Sequence, residues 1–87
     1  MVTKYDVFEY LYKRNVPLRP KEILTEFQKG SASYRDIYNI LLDLKKLKIV
    51  AKGTHGFQAP RTKKNSLLYQ MIVFCLKNDI NYNERSE

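Results

Sequence analysis

Ile37, Ile40, Leu41, Leu44 and Leu47 recur at intervals of three and four residues, the period of a helix with one buried face. Ser33 supplies the oxygen an N-cap needs, and Asp36 follows three residues later, approximating a capping box. The pattern predicts a helix over 34–47. Its other face reads Tyr34, Arg35, Tyr38, Asn39 and Leu42, where a surface helix usually carries Glu, Lys and Ala. Two phenols, a guanidinium and an amide cluster at the end where this helix begins.

The same pattern places the other elements. Thr3 caps a first helix with Asp6 near its start, Val7, Phe8 and Leu11 as its apolar stripe, and Tyr5 and Tyr12 beside it. Lys13, Arg14 and Asn15 suit its end. Val16, Pro17 and Leu18 make at most an edge strand. Pro20 opens a second helix where its missing N–H costs nothing. Glu22 sits near the start of that helix, Ile23, Leu24 and Phe27 face inward, and Gly30 is the expected stop. After Leu47, Ile49–Lys52 and Phe57–Ala59 are two short strands flanking a turn between Gly53 and Gly56. Asn65 or Ser66 is expected to cap a last helix running to about residue 78, and residues 79–87 form a polar tail. Helix, short strand, helix, helix, hairpin, helix is a mainly α chain with a small β-hairpin, of the α+β class.

Charge changes this picture at one place. The net +7 is concentrated between residues 45 and 64, where 7 basic side chains (Lys45, Lys46, Lys48, Lys52, Arg61, Lys63, Lys64) meet no acidic ones. Residues 1–44 hold 7 basic and 6 acidic groups, and residues 65–87 hold 2 and 3. One basic segment is the electrostatic footprint expected of a nucleic-acid binder.

The chemistry of an enzyme is missing by the same reading. His55 and Cys75 are single and have no evident partners, the carboxylates are scattered, and no glycine-rich phosphate loop or metal-ligand spacing occurs. No cofactor or metal is expected. The lone cysteine permits no internal disulfide and fits a cytoplasmic protein. No segment has the ~20 apolar residues of a membrane span, and the opening M-V-T-K-Y-D lacks a signal peptide's apolar run.

The element order resembles the winged helix-turn-helix family of DNA-binding regulators over roughly Thr3 to Ala59. The likeness rests on the second helix K-E-I-L-T-E-F, the capped third helix with Ile37, Leu41 and Leu44, the following L-K-I-V, and the hairpin K-G-T-H-G-F-Q. Many such regulators have Gly between the third helix and the strand, where this chain has Lys48. The small size and single last helix look like the compact regulators of archaea, their viruses and bacteria. The resemblance implies a winged-helix domain at 1–60, a basic connector and dimerisation helix at 61–78, and the tail at 79–87. It also implies entry of the third helix into the major groove of double-stranded DNA, with the hairpin as a wing on backbone or minor groove. Ser33, Tyr34, Arg35, Tyr38 and Asn39 then fall at contact positions, as do Lys52, Thr54 and His55 on the wing.

The residue types suit that role. Arg35 can fork onto guanine O6 and N7, and Asn39 can pair with adenine N6 and N7. The tyrosines can donate to phosphate or pack against sugar or a thymine methyl. Arg61, Lys63 and Lys64 are expected near flanking phosphates. The competing roles are packing of the tyrosines on the second helix, a salt bridge from Arg35 to Glu22 or Glu26, and an exposed turn for His55. Leu67, Leu68, Met71, Ile72, Cys75 and Leu76 make a wide apolar stripe, with Val73 and Phe74 towards the opposite side. A helix apolar nearly all round needs a second cover, and a two-fold homodimer supplies one. The function expected is a sequence-specific transcriptional regulator, a repressor in its simplest form. The alternatives are a winged-helix protein-interaction module and a sequence-neutral nucleic-acid binder.

Overall fold

The computed structural model describes residues 2–27 and 32–77 of the chain. Among these are four helices, α1 (Lys4–Arg14), α2 (Pro20–Phe27), α3 (Tyr34–Lys46) and α4 (Lys63–Lys77), and a two-stranded antiparallel sheet of β1 (Ala51–Gly53) and β2 (Gly56–Gln58). The mainly helical α+β architecture with a small hairpin is therefore as expected. The Gly30 stop and the 79–87 tail lie outside the described residues.

The first three helices start where the sequence places their caps. In α1 the Thr3 hydroxyl accepts from the Asp6 N–H at 3.3 Å, and the Asp6 carboxylate accepts from the Thr3 N–H at 2.9 Å. The Ser33–Asp36 pair repeats this box at α3, at 3.1 and 3.3 Å. Both satisfy N–H groups that would otherwise lack partners at a helix start. Glu22 reaches back to the Arg19 N–H at 2.8 Å and steadies the start of α2.

One cluster of side chains from all four helices and the hairpin forms the core. Val7, Phe8 and Leu11 of α1 meet Ile23 of α2 and Ile37, Leu41 and Leu44 of α3, all fully buried. Phe57 of β2, Leu18, Ile49, Val50 and Ala59 seal one edge, and Ile72 of α4 another. Leu24 and Phe27 pack against this core half-buried. Leu47, expected on the buried stripe, is instead exposed, because α3 ends at Lys46 and the chain turns away there.

That turn is a Schellman closure. The Lys48 N–H donates to the Lys45 carbonyl at 3.0 Å and the Ile49 N–H to the Leu44 carbonyl at 3.3 Å. Lys48 itself takes the left-handed conformation at φ 64°. Ile49 and Val50, expected to begin a strand, instead complete this turn and drop into the core, so pairing starts at Ala51. The return strand is correspondingly Gly56–Gln58 rather than Phe57–Ala59.

Leu18 pairs with the free edge of β2. Its N–H donates to the Phe57 carbonyl at 2.8 Å, and the Phe57 N–H donates back at 2.7 Å. The expected edge strand is thus one bridge long. Gly56 allows this approach: its φ is +129°, and a Cβ there would lie 2.4 Å from the Leu18 carbonyl oxygen.

Helix α4 begins at Lys63, three or four residues earlier than the expected caps at Asn65 or Ser66 imply. Thr62 caps it, its hydroxyl accepting from the Asn65 N–H at 3.1 Å and its carbonyl from the Ser66 N–H at 2.9 Å. Asn65 is then free to be buried inside the first turn. Its amide donates to the Ile49 and Pro60 carbonyls, both at 2.8 Å, joining α4 to each side of the hairpin.

These two backbone positions make opposite predictions. Lys48→Gly relieves a left-handed lysine and is expected to raise unfolding free energy by about 0.5–1 kcal/mol. Gly56→Ala, which forces a methyl onto the Leu18 backbone, is expected to lower it by about 2 kcal/mol. Urea unfolding of the two variants checks both signs.

Candidate nucleic-acid interface

Helix α3 has one buried row and one open one. Ile37, Leu41 and Leu44 point into α1 and α2, which leaves Tyr34, Arg35, Tyr38 and Asn39 outside, all four exposed. Neither tyrosine is in the core: Tyr34 is 47% exposed and Tyr38 36%, so each is partly covered and partly open to solvent. They lie against each other, with ring centroids 6.3 Å apart and planes 8° apart. Among the described residues Arg35 has no ion pair or hydrogen bond, so it does not bridge to Glu22 or Glu26. Asn39 likewise has no side-chain partner among them.

Ser33 is exposed at the head of this face, but its oxygen already accepts the cap bond from Asp36. Its hydroxyl proton remains able to donate outward. The first turn of α3 also leaves backbone N–H groups at the positive end of the helix, a favourable setting for an anion. Asp43 continues the Arg35–Asn39 row at the next four-residue step and is exposed. Sequence reasoning did not include it in the site, although a carboxylate there can accept from a cytosine amino group.

The hairpin carries the second group. Gly53 pairs with Gly56, leaving Thr54 and His55 as a two-residue turn, both exposed. Lys52 extends its ammonium to 5.9 Å from the Phe57 ring centroid and remains exposed. Beside the hairpin runs an open groove of about 530 Å³, where Lys52, His55, Gln58 and Arg61 face Pro17. The groove gathers polar and cationic groups from both strands and from the connector.

The three cations expected near flanking phosphates differ in what they touch. Arg61 donates to the Tyr12 carbonyl at 2.7 Å and lies over the Tyr12 ring at 4.1 Å, and that ring in turn stacks on Tyr69 at 4.6 Å. Lys64 donates to the Leu47 carbonyl at 3.2 Å, at the C-terminal end of α3. Both are internal tethers that keep their charge. Lys63 is exposed and has no partner among the described residues. Lys45, Lys46 and Lys48 are also exposed, so the whole basic segment faces outward. Its densest part lies at the far end of a 13-residue helix from Tyr34, about 20 Å away.

No family model, curated protein or solved structure matches this chain. Among the described residues no cluster of three His, Cys, Asp or Glu is placed to hold a metal ion, and no helix is long and apolar enough to cross a membrane.

On α4 the exposed stripe differs from the expected one. Ile72 is 2% exposed and belongs to the core, and Leu68 is half-buried against it. The outward apolar residues are Leu67 (53% exposed), Met71 (64%) and Phe74 (58%). Cys75 is half-buried, beside Tyr5, Leu68 and Met71 at a small hollow. The side chain of Leu76 lies outside the described residues. The phase is set by Asn65 and by the Tyr12–Tyr69 stack, neither of which the apolar pattern contains.

Because Arg61 tethers the connector to α1, its loss is structural. Arg61→Ala is expected to cost about 1–2 kcal/mol through the lost carbonyl bond and ring contact. Lys63→Ala is expected to leave the unfolding midpoint unchanged. Thermal melts of the two variants at matched ionic strength separate the roles.

Proposed function

We propose that this protein is a sequence-specific double-stranded DNA-binding regulator of winged-helix type, acting as a homodimer. In this reading α3 enters the major groove and the Lys52–His55 turn touches backbone or minor groove. One observation carries it: Tyr34, Arg35, Tyr38 and Asn39 stand together on the open side of a helix whose other side is fully buried. Arg35 and Asn39 have no competing partner among the described residues, so their donors are available to base edges. The Leu18 bridge and the hairpin that follows α3 support the winged-helix assignment. The uninterrupted basic segment supports a polyanionic partner.

The homodimer reading rests on the Leu67–Met71–Phe74 stripe, which a second copy would cover. Two reading helices related by a two-fold axis would address a palindromic site, and occupancy of that site is the simplest route to repression. Met71→Glu is expected to convert a dimer to a monomer in sedimentation equilibrium without unfolding it. A monomeric parent chain at tens of micromolar removes this part of the proposal.

The DNA reading is tested by selecting duplexes from a random pool at two salt concentrations. A shared motif is expected to be enriched at both. With about 4–6 phosphates neutralised per subunit, log affinity is expected to fall against log salt with a slope near −0.9 per phosphate. Arg35→Ala is expected to weaken the selected site about tenfold or more and to relax the preference at one guanine. Absence of any duplex binding at low salt rejects the reading and leaves the exposed tyrosines to a protein partner.

A further inference from the structure

Asn65 is the one buried amide or charged side chain among the described residues, at 1% exposed. We propose that it is a positioning residue for the wing: it fixes the pose of the hairpin relative to α3, and through that pose the number of phosphates the wing meets. This rests on the DNA-binding reading, and one arm of its test is independent of DNA.

The hairpin is held unevenly. On its inner side Phe57 is buried and exchanges two backbone bonds with Leu18. On its outer side β1 pairs with nothing but β2 among the described residues, and Ala51, Lys52 and Gly53 are all exposed. Ile49, Val50 and Ala59 bury the roots of the two strands. Apolar contact of that kind is non-directional and sets no angle for the hairpin. Asn65 supplies the direction. Its Nδ2 donates at 2.8 Å to the Ile49 carbonyl, shortly before β1, and at 2.8 Å to the Pro60 carbonyl, shortly after β2. One planar amide thus ties both legs at the base, and such bonds weaken steeply when bent.

The amide is not fully satisfied in return. Its Oδ1 is buried and has no hydrogen-bond partner among the described residues. Turning the amide over would set that oxygen against two carbonyls, so the two donors settle its orientation. A buried acceptor left unpaired costs about as much as two neutral hydrogen bonds return. The net gain in stability is therefore small beside the effect on geometry. Lys64, the neighbouring residue, donates to the Leu47 carbonyl at 3.2 Å, at the end of α3. Adjacent residues in the first turn of α4 thus hold the reading helix and the hairpin. That bracket sets the spacing of the two elements, and a matched spacing is what lets both engage one duplex together.

The test measures the salt dependence of binding to the selected duplex. Asn65→Ala removes no charge, yet the slope of log affinity against log salt is expected to become shallower by about 0.9 for each wing phosphate lost. Lys52→Ala is expected to make the parent slope shallower by one such step and to add nothing further in the Asn65→Ala background. The guanine preference assigned to Arg35 is expected to persist. A merely structural role would lower the active fraction and leave the slope where it was. If the alanine variant does not fold, Asn65→Leu, which fills the space, takes its place. Unfolding of both overturns the inference, because Asn65 is then a general prop of the core. Without DNA, the β1 amides are expected to exchange hydrogen about tenfold faster in the variant, with those of Leu41 and Leu44 unchanged. An unchanged slope, a Lys52→Ala effect that persists in the variant, or unchanged β1 exchange each overturns the inference while leaving duplex binding intact. Absence of binding to any duplex overturns the DNA reading and the wing role with it, and the exchange rates alone then decide whether Asn65 clamps the hairpin.

Discussion

The burial of Ile37, Leu41 and Leu44 against α1 and α2 is the contact on which the rest of the structure depends. Each of these side chains contributes about 1.5–3 kcal/mol by leaving water. Their spacing fixes the rotation of α3 about its own axis. Once that rotation is set, Arg35 and Asn39 turn to solvent, while Tyr34, about 20° round the helix from Leu41, is open because it stands in the first turn with Tyr38 beside it. The Ser33–Asp36 capping box sets where the helix begins, so it also sets which residues occupy the first exposed turn. The open face is thus a consequence of the closed one.

The two ends of α3 are held by different means. The N-terminal end is closed locally by its cap. The C-terminal end is closed by a left-handed Lys48, by Lys64 on the Leu47 carbonyl and by Asn65 on the Ile49 carbonyl. These last two bonds come from α4 and tie it to the hairpin and the end of α3. A change in the position of α4 would therefore be felt at the base of the hairpin. In the proposed function this links the association surface to the wing through three carbonyl groups, counting that of Pro60.

The basic segment shows why counting charge is not the same as locating a binding surface. Its seven cations are all exposed, yet Arg61 and Lys64 have fixed intrachain partners. They still contribute positive potential, because donating to a carbonyl does not neutralise them. Their geometry, however, serves the fold. The remaining lysines are mobile point charges on long stems, suited to steering and weak phosphate contact rather than to reading. On α4 a similar distinction appears between apolar content and apolar exposure. The helix is apolar nearly all round, and its inward side was chosen by Asn65 and the Tyr12–Tyr69 stack.

Much of this was legible in the chain itself. Three helix starts, the inward row of α3, the paired glycines of the hairpin and the four outward residues all follow from period, caps and turn chemistry, which act over a few neighbouring residues. What the chain did not reveal depends on contacts across long separations. Arg61 finds Tyr12 at a separation of 49 residues, and Asn65 finds Ile49 at 16. The outward turn of Phe74 follows from such contacts, whereas the exposure of Leu47 and the late start of β1 follow from the left-handed turn at Lys48. The local sequence determined which faces exist. Tertiary packing decided which of two apolar faces is covered and which cations are committed, because those choices are settled by the partners that folding brings within a few ångströms.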